Sequence, residues 1–255
     1  MNRVPLFPEA PRPLVFAHRG ASSLAPENTM ASFRKARGLG CPGLEFDVRR
    51  CASGELVVIH DGSLARTAGL DKKVEDMDLA ELRAMDAGSW FSPEFAGEKI
   101  PLLDEVLDEL GDEMYMDIEL KTRLKKDDPL PTLVLKAIRD RRLENSTLVS
   151  SFNPLALRAF KRLAPDIATA VIWCDDEELP SWLRRGQGRW ISGCDVLKPA
   201  HAKATPLSLA LLSRLGGRPM LPWTVDDPML ARLLVARGCV GVVTNRPQDI
   251  VGALG

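Results

Sequence analysis

The sequence has five cysteines, at 41, 51, 174, 194 and 239, and no C-x-x-C pair among them. That spacing argues against a zinc site, and the odd number argues against a disulfide framework. The thiols read as reduced core residues of a cytosolic protein. Net charge is nearly absent, −1 from 34 basic and 35 acidic residues. That argues against attachment to nucleic acid or anionic lipid by bulk charge, so any phosphate binding must come from a local cluster. No apolar run approaches the roughly 18 residues of a membrane span. Residues 1–13 carry four prolines and no apolar stretch, so no signal peptide is expected there. Repeats and low-complexity tracts are absent. Histidine is scarce, with only His18, His60 and His201.

What is present is an alternation of strands and helices. Residues 14–17 read as a short buried strand. A helix follows over 28–39, with Asn28 or Thr29 as cap, Phe33 and Ala36 on one face, and Gly38 and Gly40 at its end. Strand 44–48, a turn at Ser53-Gly54 and a returning strand 55–60 come next. Residues 62–100 break the pattern. They are polar, carry Lys72-Lys73 and Trp90-Phe91, and predict one helix over 79–85. Their few apolar residues imply a subdomain that leans on the main body.

The alternation resumes at 102–110, where Leu103, Val106, Leu107 and Leu110 follow helical spacing. Strands are predicted at 114–120, 147–151, 167–173, 194–198, 218–223 and 240–244. Helices are predicted at 130–141, 154–163, 176–186, 206–215, 228–237 and 247–253. Helix 228–237 is punctuated by Asp227 as cap, Pro228 at its first position and Gly238 after its end. The charge run 123–128 reads as a solvated loop. Eight strand–helix units favour a closed (β/α)8 TIM barrel, here one domain over 1–255 with an inserted subdomain at about 62–100 between strand two and helix two.

Strand parity places the chemistry. Residues two apart in a strand share a face. Glu45 and Asp47 therefore oppose Leu44, Phe46 and Val48, and Asp117, Glu119 and Lys121 oppose Met116, Ile118 and Leu120. The apolar faces must pack under helices, so the charged faces point into the barrel, where they are tolerable only near the C-terminal mouth. Clustered inward acids repel unless they take up protons or hold a cation. Glu45, Asp47 and Glu119 are the expected ligands of a hard divalent ion. Asp117, one step deeper, is either a supporting acceptor or a partner of Lys121.

His18 and His60 fall at strand ends beside these acids and suit acid–base work. Arg19, next to His18 at the rim, suits a phosphate oxygen, and Lys121 reads similarly. Trp223, ending strand 218–223, is either core or a platform for the carbon face of a polyol. Lys198 is divided between the pocket and the surface. His201 is expected on the surface. Together these parts fit metal-assisted cleavage of a phosphodiester.

The motifs His18-Arg19-Gly20, Pro26-Glu27-Asn28-Thr29, Glu45-Phe46-Asp47-Val48 and His60-Asp61, then Leu64 with Arg66-Thr67-x-Gly69, occur in this order. Ile100-Pro101 before Leu103-x-Glu105-Val106-Leu107, Glu119-x-Lys121, Trp223-Thr224-Val225 and Thr244-Asn245-Arg246-Pro247 follow. From residue 14 onward the chain resembles the glycerophosphodiester phosphodiesterases. The resemblance implies a TIM barrel with a small insertion and a divalent cation, Mg²⁺ or Ca²⁺, on Glu45, Asp47 and Glu119. It implies acid–base roles for His18 and His60, phosphate binding by Arg19, and accessory site roles for Glu27 and Lys121. The implied reaction is hydrolysis of a small glycerophosphodiester to sn-glycerol 3-phosphate and an alcohol, in the cytoplasm, without nucleic acid or stable membrane insertion. Two rival readings are a lysophospholipase D-type enzyme acting on lipids and a non-catalytic phosphate-binding barrel.

Overall fold

The computed structural model describes residues 3–122, 128–177 and 179–255. The predicted charged loop at 123–128 lies, apart from Asp128, outside the described residues. Six strands run side by side and parallel: β1 (Leu14–His18), β2 (Gly43–Arg50), β3 (Tyr115–Leu120), β4 (Thr147–Ser151), β5 (Ala168–Trp173) and β6 (Val196–Pro199). A seventh, β7 (Gly241–Thr244), pairs parallel with β1.

Segment 219–225 closes the gap between β6 and β7. On one side the Leu221 amide donates to Leu197 at 2.8 Å and the Trp223 amide to Pro199 at 3.0 Å. On the other, the Val243 amide donates to Pro222 at 2.9 Å and the Val225 amide to Val243 at 2.8 Å. The strand predicted at 218–223 is thus reduced to bridges at Met220 and Trp223. Pro219 and Pro222 have no N–H, so a continuous ladder cannot form there.

The helices pack outside. Leu103–Leu110 buries Leu103, Val106, Leu107 and Leu110, one face of its two turns. Pro228–Ala236 starts as its sequence dictates, with the Asp227 side chain accepting the Met229 amide at 2.8 Å. Met30–Gly38 begins later than predicted. Thr29 is its cap, while Asn28 takes a φ of 56° and turns its side chain elsewhere. The helix predicted at 176–186 is replaced by a 3₁₀ turn, Ser181–Leu183, and a short helix, Gly188–Ser192. Pro180 and the left-handed Gly186 interrupt a longer one. The helix predicted at 206–215 is Pro206–Ser208 followed by a π-helical stretch, Leu209–Arg214.

Two cores result. Between barrel and helices lie Leu44, Phe46, Val48, Met116, Ile118 and Leu120 with Phe33 and Val106. Phe33 and Phe46 meet at 5.6 Å between ring centroids. Each such buried side chain contributes roughly 1.5–3 kcal/mol. Inside the barrel, Leu14, Phe16, Leu148, Ala168, Ala170, Val196, Leu221 and Val243 fill the lower half, with Leu6, Phe7 and Ala10 of the N-terminal segment joining them. Phe7 stacks on Tyr115 with centroids 4.6 Å apart. The polar groups of the interior are therefore pushed to the C-terminal ends of the strands.

Residues 62–100 form a small hairpin, Ser63–Leu64 with Leu70–Lys73, and the helix Leu79–Ala84. Leu56–Val58 pairs antiparallel with the end of β2 as a hairpin, and Leu64, Val74, Met77, Leu82 and Ile100 share a core with Cys51, Val57 and Ile59 of it. The insertion leans on that hairpin. Among the described residues, no helix is long and apolar enough to cross a membrane.

Candidate active site

Strand register builds the site as rungs. Glu45 is the partner of His18 on one side and of Asp117 on the other, and Asp47 is the partner of Glu119. All four acids are buried. Lys198 reaches the deeper rung from β6. Its ammonium lies 2.7 Å from Asp117 Oδ2 and 3.1 Å from Glu45 Oε1, and it donates to Ser150 Oγ at 3.2 Å. Ser150 in turn donates to Asp117 Oδ1 at 2.7 Å. Lys198 is therefore a pocket-floor residue. Of the two alternatives for Asp117, the pair with Lys121 does not form, because Lys121 sits one rung higher, 3.0 Å from Asp47 Oδ1 and 2.6 Å from Glu119 Oε1.

These surroundings split the acids into two kinds. Burial raises every one of them. For Glu45 it is outweighed by Lys198 and His18, which hold the carboxyl below its usual range. For Asp47 it is outweighed by Lys121, Arg19, His60 and the Asn28 amide, which hold it well below. For the other two burial wins, and it pushes Asp117 up to about 6 and Glu119 up to about 7.

For a divalent cation the donor chemistry fits. Glu45, Asp47 and Glu119 offer hard carboxylate oxygens at adjacent rungs. Glu45 Oε2 is buried without a hydrogen-bond partner, with His18 Nε2 3.8 Å away. Lys121 bridges Asp47 and Glu119 here. Among the described residues, no three acidic, histidine or cysteine side chains converge as a ligand set in this arrangement.

The two histidines are both oriented through Nδ1. His18 Nδ1 lies 2.6 Å from Asn245 Oδ1. The Asn245 amide nitrogen donates to Asp226 Oδ2 at 2.8 Å, which turns the Asn245 oxygen toward His18. His18 Nδ1 must then carry the proton, leaving Nε2 free on the side of Glu45. His60 Nδ1 meets the Asp61 carboxylate at 2.8 Å, so it too donates from Nδ1. The Ile59 amide donates to the Asp47 carbonyl at 2.9 Å and Arg49 grips the His60 carbonyl at 2.7 and 3.0 Å, which fixes His60 beside β2. Burial lowers the pKa of both rings.

Arg19 follows β1 in the left-handed region, at φ 56°, with its amide on the Glu45 carbonyl. Its Nη1 donates to Glu27 Oε1 at 2.9 Å and its Nε lies 3.3 Å from Asp47 Oδ2. The next residue has to be glycine. Gly20 has φ 85°, and a Cβ there would stand 2.4 Å from Ser32 Oγ. Trp223 is half-buried, donates from Nε1 to the Lys198 carbonyl at 3.1 Å, and stands 6.4 Å from the His18 ring and edge-on to Phe152 at 5.6 Å.

His18, Arg19, His60, Glu119, Lys121 and Trp223 line one cavity of about 800 Å³, which Phe152, Ile172, Leu179, Pro180 and Leu183 also line. Glu27 and Asp47 lie behind Arg19. His201 is exposed, with Nδ1 2.8 Å from the Thr224 carbonyl, as its sequence position implied. Trp90, Phe91 and Phe95 pack on one another and not on this cavity. Sequence reasoning missed Asn28, Ser150, Asp226 and Asn245 as supports. Asn28 donates to Asp47 Oδ2 at 2.8 Å, and its sequence signal was absorbed by the cap reading.

Residues 18–249 match the glycerophosphoryl diester phosphodiesterase family. The glycerophosphodiester phosphodiesterase of Caldanaerobacter subterraneus subsp. tengcongensis is 34% identical over 240 residues, covering 93% of this chain and 96% of its own. A phosphodiesterase of Oleispira antarctica, solved in complex with the product sn-glycerol-3-phosphate, is similar at a TM-score of 0.82 and 31% identity, covering 95% of this chain and 96% of that one. The glycerophosphodiester phosphodiesterase of Agrobacterium tumefaciens is similar at a TM-score of 0.79 and 26% identity, covering 94% and 99%. With a TIM barrel and a match over nearly its whole length, the chain belongs to the glycerophosphoryl diester phosphodiesterase family.

Proposed function

We propose that residues 1–255 act as one domain that hydrolyses small glycerophosphodiesters to sn-glycerol 3-phosphate and an alcohol, with His18 and His60 as the acid–base pair. The observation that carries this is the tautomer imposed on both rings. Each donates from Nδ1 to a fixed acceptor, so each presents Nε2 as its proton-exchanging atom. One ring takes the proton of the attacking oxygen, which bonds to phosphorus. The other gives a proton to the leaving oxygen as its bond to phosphorus breaks. Burial favours the neutral ring that the base needs, while the carboxylates of Glu45 beside His18 and Asp47 beside His60 favour the protonated ring that the acid needs.

Arg19, aimed by Glu27, and Lys121 bind the phosphate oxygens. Glu45, Asp47 and Glu119 would hold Mg²⁺ or Ca²⁺, which when bound offsets charge on the phosphate and polarises it. Trp223 offers a face to the glycerol carbons. The five free thiols suit a reducing, cytoplasmic compartment. The near-zero net charge argues against a nucleic-acid partner.

The apolar side chains of Phe152, Ile172, Leu179, Pro180 and Leu183 favour a second reading, in which the cavity takes the acyl chain carried on the glycerol of a lysolipid while the head-group alcohol leaves. Phosphorus NMR on glycerophosphocholine and lysophosphatidylcholine separates the two. Conversion of the water-soluble diester alone is the expected result. Conversion of the lysolipid alone would replace the first reading by the second.

A further inference from the structure

The inserted subdomain sends one side chain to both shoulders of the site. Arg66 lies in the short helical turn Ala65–Ala68. Its Nη2 and Nη1 donate to Glu27 Oε1 and Oε2 at 2.7 and 3.0 Å, and its Nε donates to Asp61 Oδ2 at 2.7 Å. The two carboxylates it grips are those that orient the reactive groups. Glu27 Oε1 accepts from Arg19 Nη1 at 2.9 Å, and Asp61 Oδ1 accepts from His60 Nδ1 at 2.8 Å. The guanidinium carbon stands 5.5 Å from the centroid of the Trp90 ring, which limits its swing.

We propose that Arg66 is a positioning residue that holds Glu27 and Asp61 in one planar grip and so fixes Arg19 and His60 relative to each other. This rests on the diesterase reading of the site. A planar fork with three donors committed to three oxygens transmits position in a way that a flexible ammonium does not. Arg66 is half-exposed, so charge pairing alone gives it little weight in stability. Its contribution is geometric: the phosphate-binding arginine comes from β1 and the histidine from the hairpin after β2, and Arg66 is a side chain that bonds to the orienting partner of each.

The test compares R66M, R66K and R83M. Arg83 is also in the subdomain and holds Glu105 by paired bonds of 2.8 and 2.9 Å, away from the cavity. Expected is a fall in kcat of about 10- to 100-fold for R66M on glycerophosphocholine, with a smaller change in KM. R66K should be nearly as slow, because one ammonium cannot span the three oxygens, and R83M should keep the wild-type kcat. R66K carries the same test if R66M does not fold. At fixed pH the ¹⁵N ring signals of His60 should move in R66M and R66K and stay in place in R83M. Wild-type kcat in R66M, full recovery in R66K, or unmoved His60 signals would overturn the proposal. Should the wild type turn over no diester at all, the diesterase reading fails, and the His60 signals still decide whether Arg66 positions the ring.

Discussion

Lys198 and Glu45, 153 residues apart in sequence, meet at 3.1 Å on the floor of the cavity, and both are almost wholly buried. The same ammonium lies 2.7 Å from Asp117. Three ionisable groups are thus taken out of water together, and the arrangement holds only while each has its partner.

Removing the ammonium should therefore be expensive. K198M leaves Glu45 and Asp117 facing each other in the barrel, and metal-free enzyme is expected to lose about 3–5 kcal/mol. Urea unfolding in EDTA measures it. A loss under about 1 kcal/mol would mean that the floor acids do not depend on Lys198.

A second buried pair lies away from the chemistry. Asp195 Oδ2 accepts from Lys161 Nζ at 2.6 Å, from the Thr169 amide at 2.9 Å and from Thr169 Oγ1 at 3.1 Å, while Oδ1 accepts the Val4 amide at 2.9 Å. D195A strands the Lys161 ammonium and should cost about 3–5 kcal/mol, with kcat of the folded fraction unchanged. A variant as stable as wild type would show that Lys161 finds water.

The histidines give a kinetic prediction. H18A and H60A should each reduce kcat/KM by about 10²–10⁴-fold while circular dichroism shows an intact barrel. N245A, which frees His18 Nδ1, should act in the same direction with a smaller effect. Near-wild-type turnover in H18A or H60A sinks the acid–base assignment.

Asp86 gives the pH dependence of segment 62–100. Its oxygens accept from the amides of Ser89, Gly88 and Gly97 and from the Ser89 hydroxyl, and these bonds hold its pKa below the ordinary 3.8. A carboxyl depressed on folding stabilises fully above its unfolded value, and the contribution fades as pH falls through the folded one. Protection of the Gly88, Ser89 and Gly97 amides from hydrogen exchange should be high at pH 6 and decline only below about pH 3. D86A should lack that protection at both. Equal protection in D86A would remove Asp86 as the organiser of this loop.

Much of this was legible in residue order. Glu45-Phe46-Asp47 and Asp117-Ile118-Glu119-Leu120 alternate so strictly that facing follows from strand geometry alone. The helix punctuation at Asp227-Pro228 was equally local. Register was not legible. That Glu45 sits beside Asp117, and Asp47 beside Glu119, depends on the stagger of neighbouring strands, which no single strand encodes. Lys198 was hidden for the same reason: its partners lie across the barrel, and its neighbours Leu197 and Pro199 carry no sign of them. Asn245 and Arg66 stood inside recognisable motifs, yet their roles appear only when loops distant in sequence converge. Segment 218–223 failed as a strand because its apolar pattern conceals two prolines, which matter to hydrogen bonding and not to hydropathy.

Release of glycerol 3-phosphate from glycerophosphocholine and glycerophosphoethanolamine, measured with Mg²⁺, with Ca²⁺ and with EDTA, decides both the reaction and its metal. Release with a divalent ion, none in EDTA, and recovery when the ion is returned are expected. Release undiminished in EDTA would contradict the metal role of Glu45, Asp47 and Glu119, and no release from either diester under any condition would contradict the proposed reaction.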